Sequence, residues 1–279
     1  DALAVIARGG GLPEAAARVD RLSEKLNDLV HATTHDLLAQ GKIPALPPRM
    51  LIYPHVLGGR VTYLSGRRIA PEGDTPKSWN PPRELAGERQ PFFNALWAHE
   101  SPATVVVEGQ ACANTLAQWG VSALALAGAS AAANPTLLAH IRKASGDIVI
   151  GMDTDGTGQA AVAGAAAALA EAGIRPTQIR VVTWPAHDAN DWLQAGATPE
   201  EALALLRESP TWVEVLTERA AGDGADPSGA AARPLFEALS QLGVYEIARL
   251  RERVCQRLGL RRAEFDTLMP QEFWREVVD

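Results

Sequence analysis

Cysteine is nearly missing from this chain. Of 279 residues only Cys112 and Cys255 carry a thiol, and neither belongs to a Cys-x-x-Cys pair. That excludes a zinc ribbon in this segment and a disulfide framework, and it makes a reducing cytoplasm the default compartment. Long apolar runs are missing too. The hydrophobic share is 47%, yet no run is long enough to span a membrane and no secretory signal opens the sequence. The chain does not begin with methionine, which points to a processed protein or an excised piece. Lysine is scarce, at 4 against 22 arginines, a bias that fits a GC-rich genome, whether viral, plasmid or chromosomal. Only three tyrosines are present, Tyr53, Tyr63 and Tyr245.

What is there is unevenly charged. The net charge of −7 argues against a nucleic-acid partner, but its distribution argues the other way. From Lys42 to Phe93 there are eight basic and four acidic residues; from His99 to Thr198 there are four basic and eight acidic. A basic segment followed by an acidic one suits an enzyme that grips phosphates with one part and metal ions with the next.

The local patterns divide the chain in three. Residues 1 to about 42 read as helical, from the spacing of Leu22, Leu26, Leu29 and Val30. Met50–Tyr53 and Arg60–Leu64 flank Gly58-Gly59, a hairpin signal, and residues 71–91 read as a long loop rich in proline and charge. Together these make an α+β basic subdomain over 1–98. From 99 to 198 strands at Thr104–Glu108, Ser122–Leu126, Ile148–Met152 and Ile179–Thr183 alternate with helices near Ala111–Trp119, Pro135–Ala144 and Gly158–Ala172. Such alternation predicts an α/β, Rossmann-like unit with a mostly parallel sheet. Residues 199–279 read as a helical subdomain, opened by the cap at Thr198 and interrupted by a Gly/Ala/Asp linker at 221–229. Six arginines between Arg249 and Arg262 leave a DNA-reading helix-turn-helix open beside a plain helical bundle.

Two strand ends carry the chemistry. One strand runs into Glu108-Gly109, the other into Asp153-Thr154-Asp155-Gly156-Thr157-Gly158. Open α/β sheets bind ligands at such ends. In extended backbone Asp153 and Asp155 point to one side. Two carboxylates about 4 Å apart repel by roughly 4 kcal/mol at an effective dielectric of 20. A hard divalent cation relieves that repulsion, so the residues predict a Mg²⁺ or Mn²⁺ site. An EF-hand is excluded, because its twelfth position is Gly164 rather than Glu.

A third element follows the last strand: His187-Asp188-Ala189-Asn190-Asp191. Glu-Gly, then Asp-x-Asp-Gly-x-Gly, then Asp-Ala-Asn-Asp resembles the TOPRIM domain, the catalytic fold shared by bacterial-type primases, phage primase-helicases, topoisomerases and some nucleases. The turn Gly128-Ala129-Ser130-Ala131 is similar to that of the phage primase-helicases. Upstream, Arg49–Pro54, Gly59–Arg67 and Lys77-Ser78-Trp79-Asn80-Pro81 resemble the basic subdomain of bacterial replicative primases. The resemblance covers about residues 49–195.

That resemblance implies a DNA primase core synthesising short primers on single-stranded DNA from nucleoside triphosphates, with a replicative helicase as partner in trans or by fusion. It implies that Glu108, Asp153 and Asp155 hold two Mg²⁺ or Mn²⁺ ions, with Asp188 near the second. It implies that Arg49, Arg67 or Arg68, Lys77 and Asn80 contact nucleotide or template, with Lys77 also counted in the catalytic set. One residue departs from the pattern: Cys112 stands where many members have Asp, four residues after the motif Glu. A nuclease or other phosphotransferase, and a nucleic-acid-binding helicase-partner module with a weakened site, stay open as alternatives. A topoisomerase does not, since none of the three tyrosines has the context of a nucleophile.

Overall fold

The computed structural model describes residues 50–57, 60–69, 73, 75–80, 92–93, 103–126, 132, 134–144, 146–222 and 229–270. The helix predicted over 1–42, Arg49, the Gly58-Gly59 turn and the Gly128–Ala131 turn lie outside these residues.

Two sheets form. The first is antiparallel, in the order β1 (Met50–Leu57), β2 (Arg60–Arg68), β3 (Ser78–Trp79). Among the described residues β1 is an edge strand, which tolerates the missing N–H of Pro54. The short β3 interrupts what the sequence presents as a loop: Gly66 pairs with Trp79 and Arg67 with Ser78. A two-residue strand carries no periodicity to read.

The second sheet holds β4 (Phe92–Phe93), β5 (Ala103–Val107), β6 (Ser122–Leu126), β7 (Asp147–Ile150) and β8 (Ile179–Val181), ordered β4-β6-β5-β7-β8. All pairs are parallel except β4 with β6. Between the strands run α1 (Gln110–Gln118), α2 (Pro135–Ile141) and α3 (Gly156–Glu171). The predicted strands ending at Met152 and Thr183 stop two residues early, at Ile150 and Val181, where the chain turns into the loops that carry the acidic groups. Helix α2 ends at Ile141 rather than Ala144, and α3 begins at Gly156, two residues before its predicted start, because Asp155 caps it.

The strand residues alternate between two cores. Val106, Leu124, Ile148 and Ile150 pack with α3 and the C-terminal helices; Val105, Val107, Ala123 and Val149 pack with α1 and Trp184. Burying each such aliphatic side chain contributes about 1.5–3 kcal/mol. Alanines at 165 and 166 let α3 lie close on the sheet. Gly120 and Gly173 follow helices with φ of 75° and 89°, the left-handed conformation that glycine adopts without strain.

The C-terminal part is helical: α4 (Ala189–Gln194), α5 (Pro199–Glu208), α6 (Trp212–Ala220), α7 (Arg233–Ser240), α8 (Val244–Leu258) and α9 (Arg262–Leu268). Thr198 and Thr211 each form reciprocal capping boxes with Glu201 and Glu214. Gly259, at φ 67°, turns the chain from α8 to α9. Five of the six arginines there lie in ion pairs. Arg251 pairs with Asp266, Arg253 with Glu214, Arg257 with Glu218, Arg261 with Glu264 and Arg262 with Glu252. The helices pack as a bundle around Leu235, Phe236, Ile247, Val254 and Phe265, with Arg249 exposed on its surface.

Candidate active site

Strand β5 leads through α1 to β6 on one side, and β7 then adds to the other side of β5. The strand order therefore reverses at the carboxyl end of β5, the place where open sheets form a ligand crevice. Glu108 follows β5 there, and Asp153 follows its neighbour β7. The loop after β8 joins them. Thr154 donates its backbone N–H to the His187 carbonyl at 2.9 Å and its hydroxyl to the same oxygen at 3.2 Å. That clasp brings Asp188 beside Asp153.

The small sheet docks over this crevice. The buried His55 ring bonds the Phe92 carbonyl through Nδ1 at 2.7 Å and the Ser65 hydroxyl through Nε2 at 2.8 Å. Gln110, in the first turn of α1, donates to the same Ser65 oxygen at 3.3 Å. Tyr53 packs edge-on against Phe93. Tyr63, Ser65 and Arg67 alternate along one face of β2, so this docking turns Arg67 toward the carboxylates.

A cavity of about 500 Å³ results, lined by Arg67, Lys77, Trp79 and Asn80 on one side and by Glu108, Cys112, Asp153, Asp188 and Asn190 on the other. Ser65, Gln110 and His187 also line it. Lys77 and Arg67 are exposed, and Trp79 and Asn80 are half-buried. The Tyr63 hydroxyl donates to Asn80 Oδ1 at 3.4 Å. Arg68 points elsewhere, its Nε donating to the Pro76 carbonyl at 3.0 Å.

The two motif aspartates divide. Asp153 is half-buried in the cavity wall, whereas Asp155 is exposed, lies outside the lining, and caps α3 by accepting from Gly158 N at 2.7 Å. The expected projection to one side assumed extended backbone; the chain instead bends at Thr154 and Asp155, where the clasp to His187 holds it. Gly158 has a separate reason to be glycine, since a Cβ there would collide with the Asp153 backbone carbonyl. Asp188 caps α4, accepting from Asp191 N at 2.7 Å, and Asn190 accepts from Thr115.

The electrostatics follow from burial and like charge. Burial, then the carboxylates of Glu108 and Asp188, push the Asp153 carboxyl up to about 6. Burial, then Asp188, push the Cys112 thiol up to about 12, so it is neutral in the cation-free protein. Among the described residues no ion pair joins the carboxylate wall to Arg67 or Lys77. His187 offsets part of the charge on Asp153, yet burial and the neighbouring carboxylates prevail, and such clustered oxygen donors fit a hard divalent cation. The sequence singled out Cys112 only as a departure; Ser65 and Gln110 carried no signal, because their place depends on how two sheets dock.

Comparison with known proteins agrees with this architecture. Residues 105–193 match the Toprim-like family. This stretch is similar to Toprim-like domains. No curated protein matches the sequence. Among solved structures, the Escherichia coli primase catalytic core is similar at 20% identity and a TM-score of 0.61, covering 92% of this chain and 82% of that one. A DNA primase domain from Pseudomonas aeruginosa gives 19% identity and a TM-score of 0.62, with 79% and 71% covered. The zinc-binding and RNA polymerase domains of Aquifex aeolicus primase give 21% identity and a TM-score of 0.60, with 88% of this chain covering 61% of that chain. The Toprim-like domain thus sits in a fold shared with bacterial primase catalytic cores. Among the described residues no helix is long and apolar enough to cross a membrane.

Proposed function

We propose that this protein is the catalytic core of a DNA primase, a nucleotidyltransferase that joins nucleoside triphosphates into short primers on single-stranded DNA. One observation carries the reading: a single cavity sets Arg67 and Lys77 across from Glu108, Asp153 and Asp188. A nucleoside triphosphate needs both, cations for its oxygens and a carboxylate-held metal between them.

In this reading Glu108, Asp153 and Asp188 hold the divalent cations, and Asp155, outside the lining, joins them on the resemblance in sequence alone. Bound there, Mg²⁺ or Mn²⁺ supplies charge neutralisation on the triphosphate and lowers the pKa of the attacking hydroxyl. Arg67 takes phosphate oxygens through its planar fork and Lys77 as a point charge. Asn80 accepts from Tyr63 with its carbonyl oxygen, which leaves its NH₂ to donate to nucleotide or template. Trp79 offers a flat surface beside it for a base. Arg68 supports the turn that presents Lys77, since its N–H bonds the Lys77 carbonyl at 2.8 Å. Arg49 and a helicase partner rest on the resemblance in sequence alone.

The test is incubation with single-stranded DNA, labelled NTPs or dNTPs, and Mg²⁺ or Mn²⁺. Short oligonucleotides that disappear with Asp153→Ala support a primase. A shortened template in their place indicates a nuclease, and neither outcome leaves a binding module.

A further inference from the structure

Cys112 is the least explained group in the cavity. It lies in the first turn of α1, 3% exposed, with its side chain in the wall. Its sulfur and one carboxylate oxygen each from Asp153 and Asp188 all lie within 4.8 Å of one another. A wall made for a hard cation alone has no use for sulfur, because Mg²⁺ prefers oxygen donors and thiolates select softer ions.

We propose that Cys112, Asp153 and Asp188 form a mixed sulfur–oxygen site for a borderline cation, Zn²⁺ above all, that overlaps the carboxylate site and competes with Mg²⁺ for it. The geometry is close to what such an ion needs. With Zn–S near 2.3 Å and Zn–O near 2.1 Å, tetrahedral ligands stand about 3.6 Å apart. The three donor atoms reach that by side-chain adjustments of about 1 Å, and the fourth position faces the open cavity. The donors come from three elements, α1 and the loops after β7 and β8, and the Thr154–His187 clasp holds the two loops in register. Binding releases the thiol proton to solvent as the sulfur becomes a ligand. Because Asp153 and Asp188 are shared, an ion seated here removes two of the three carboxylates from the Mg²⁺ set. The protein would then be switched off by zinc and switched on by Mg²⁺ in excess. The site rests on the same cavity as the primase reading but not on polymerisation, so the two stand or fall separately.

The experiment uses Co²⁺ as a spectroscopic probe of the full chain. The expected result is a thiolate-to-cobalt charge-transfer band that is lost in Cys112→Ser and Cys112→Ala and retained in Cys255→Ser. Zn²⁺ displaces the cobalt, and its affinity falls at least about tenfold in Cys112→Ser. Mn²⁺ binding, followed by paramagnetic resonance, stays within about twofold in the same variant, because a hydroxyl keeps an oxygen beside a hard ion. Circular dichroism confirms that both variants fold. A wild-type cobalt spectrum without the thiolate band, or equal Zn²⁺ affinity in wild type and both Cys112 variants, overturns the site, whatever the outcome of the primer assay.

Discussion

The two charged regions of this molecule use their charges in opposite ways. In the C-terminal bundle each of five arginines lies against a carboxylate, from 2.5 to 3.2 Å, on the outside of helices α6, α8 and α9. In the cavity, acid and base face each other across open space, with no described pair between them. Paired surface charges neutralise one another and hold helices in place weakly. Separated charges in a walled crevice keep their fields, and like charges held together cost stability until a ligand arrives. The rise of Asp153 to about 6 comes first from burial and then from the carboxylates of Glu108 and Asp188, and the second part is the sign of that cost. The same arithmetic of arginine and carboxylate therefore reads as scaffold in one region and as a binding site in the other.

The sharpest way to break the comparison is Asp153→Asn. If the cavity holds catalytic cations, primer synthesis falls by on the order of 10³-fold or more. The cation-free protein should meanwhile become more stable at pH 8. Its folded carboxyl titrates near 6, above the ordinary carboxyl value of 3.8, so the stability it lends is whole below the unfolded value and lost as pH rises through 6. Asparagine stays neutral and avoids the loss. Thermal melts with chelator at pH 4 and pH 8 check this, and a variant that melts lower than wild type at pH 8 would sink the electrostatic reading. The same titration predicts that Mn²⁺ affinity of the wild type weakens below about pH 6, as protons compete for Asp153, and is flat above pH 7.

Gly158→Ala comes next. Its new Cβ would meet the Asp153 carbonyl, so the loop must move. We expect a loss of about 1–3 kcal/mol in stability, as for other overpacked sites, together with loss of Mn²⁺ binding. Calorimetry and metal titration on one sample separate the two effects, and wild-type metal affinity in the variant would show that the glycine serves α3 alone. Lys77→Ala and Arg67→Ala should each reduce synthesis roughly 10- to 100-fold and leave Mn²⁺ binding intact, since each removes a charge-assisted phosphate contact. Arg68→Ala should do less than either. Equal losses at Arg67 and Arg68 would contradict the strand register that puts only one of them in the cavity.

How much of this was legible beforehand depended on the range of the interaction. Strands β5 to β8 and helices α1 to α3 announce themselves through periodicity and through Gly120 and Gly173, all local signals. Two acidic motifs put Glu108 and Asp153 just past strand ends, and the third put Asp188 after the last strand, where it caps α4. Period-two alternation along Tyr63, Ser65 and Arg67 held the answer to which arginine faces the carboxylates, but only once the buried face was known. What stayed hidden was long-range. The bond from His55 to Phe92 spans 37 residues and that from Gln110 to Ser65 spans 45, and no local pattern encodes either. The bends at Thr154 and Asp155, which leave Asp155 capping α3, also had no local signal.

The smallest expected effect tests the other side of the comparison. Arg251 Nη1 lies 3.0 Å from Asp266 Oδ1 and joins α8 to α9, with both side chains about a third exposed. Water screens such a pair, and holding two long side chains in one geometry costs entropy, so Arg251→Ala should lower stability by under about 1 kcal/mol. Raising the salt concentration should shrink that difference further, because exposed pairs are screened within a Debye length of about 8–10 Å. Primer synthesis and binding to single-stranded DNA should not change, since this arginine is spent on its own carboxylate. Gel-shift titration decides the matter. A loss of DNA affinity in Arg251→Ala, steeper at low salt, would mean that the bundle's arginines exchange their carboxylates for phosphates, and the division between scaffold charge and binding charge would have to be redrawn.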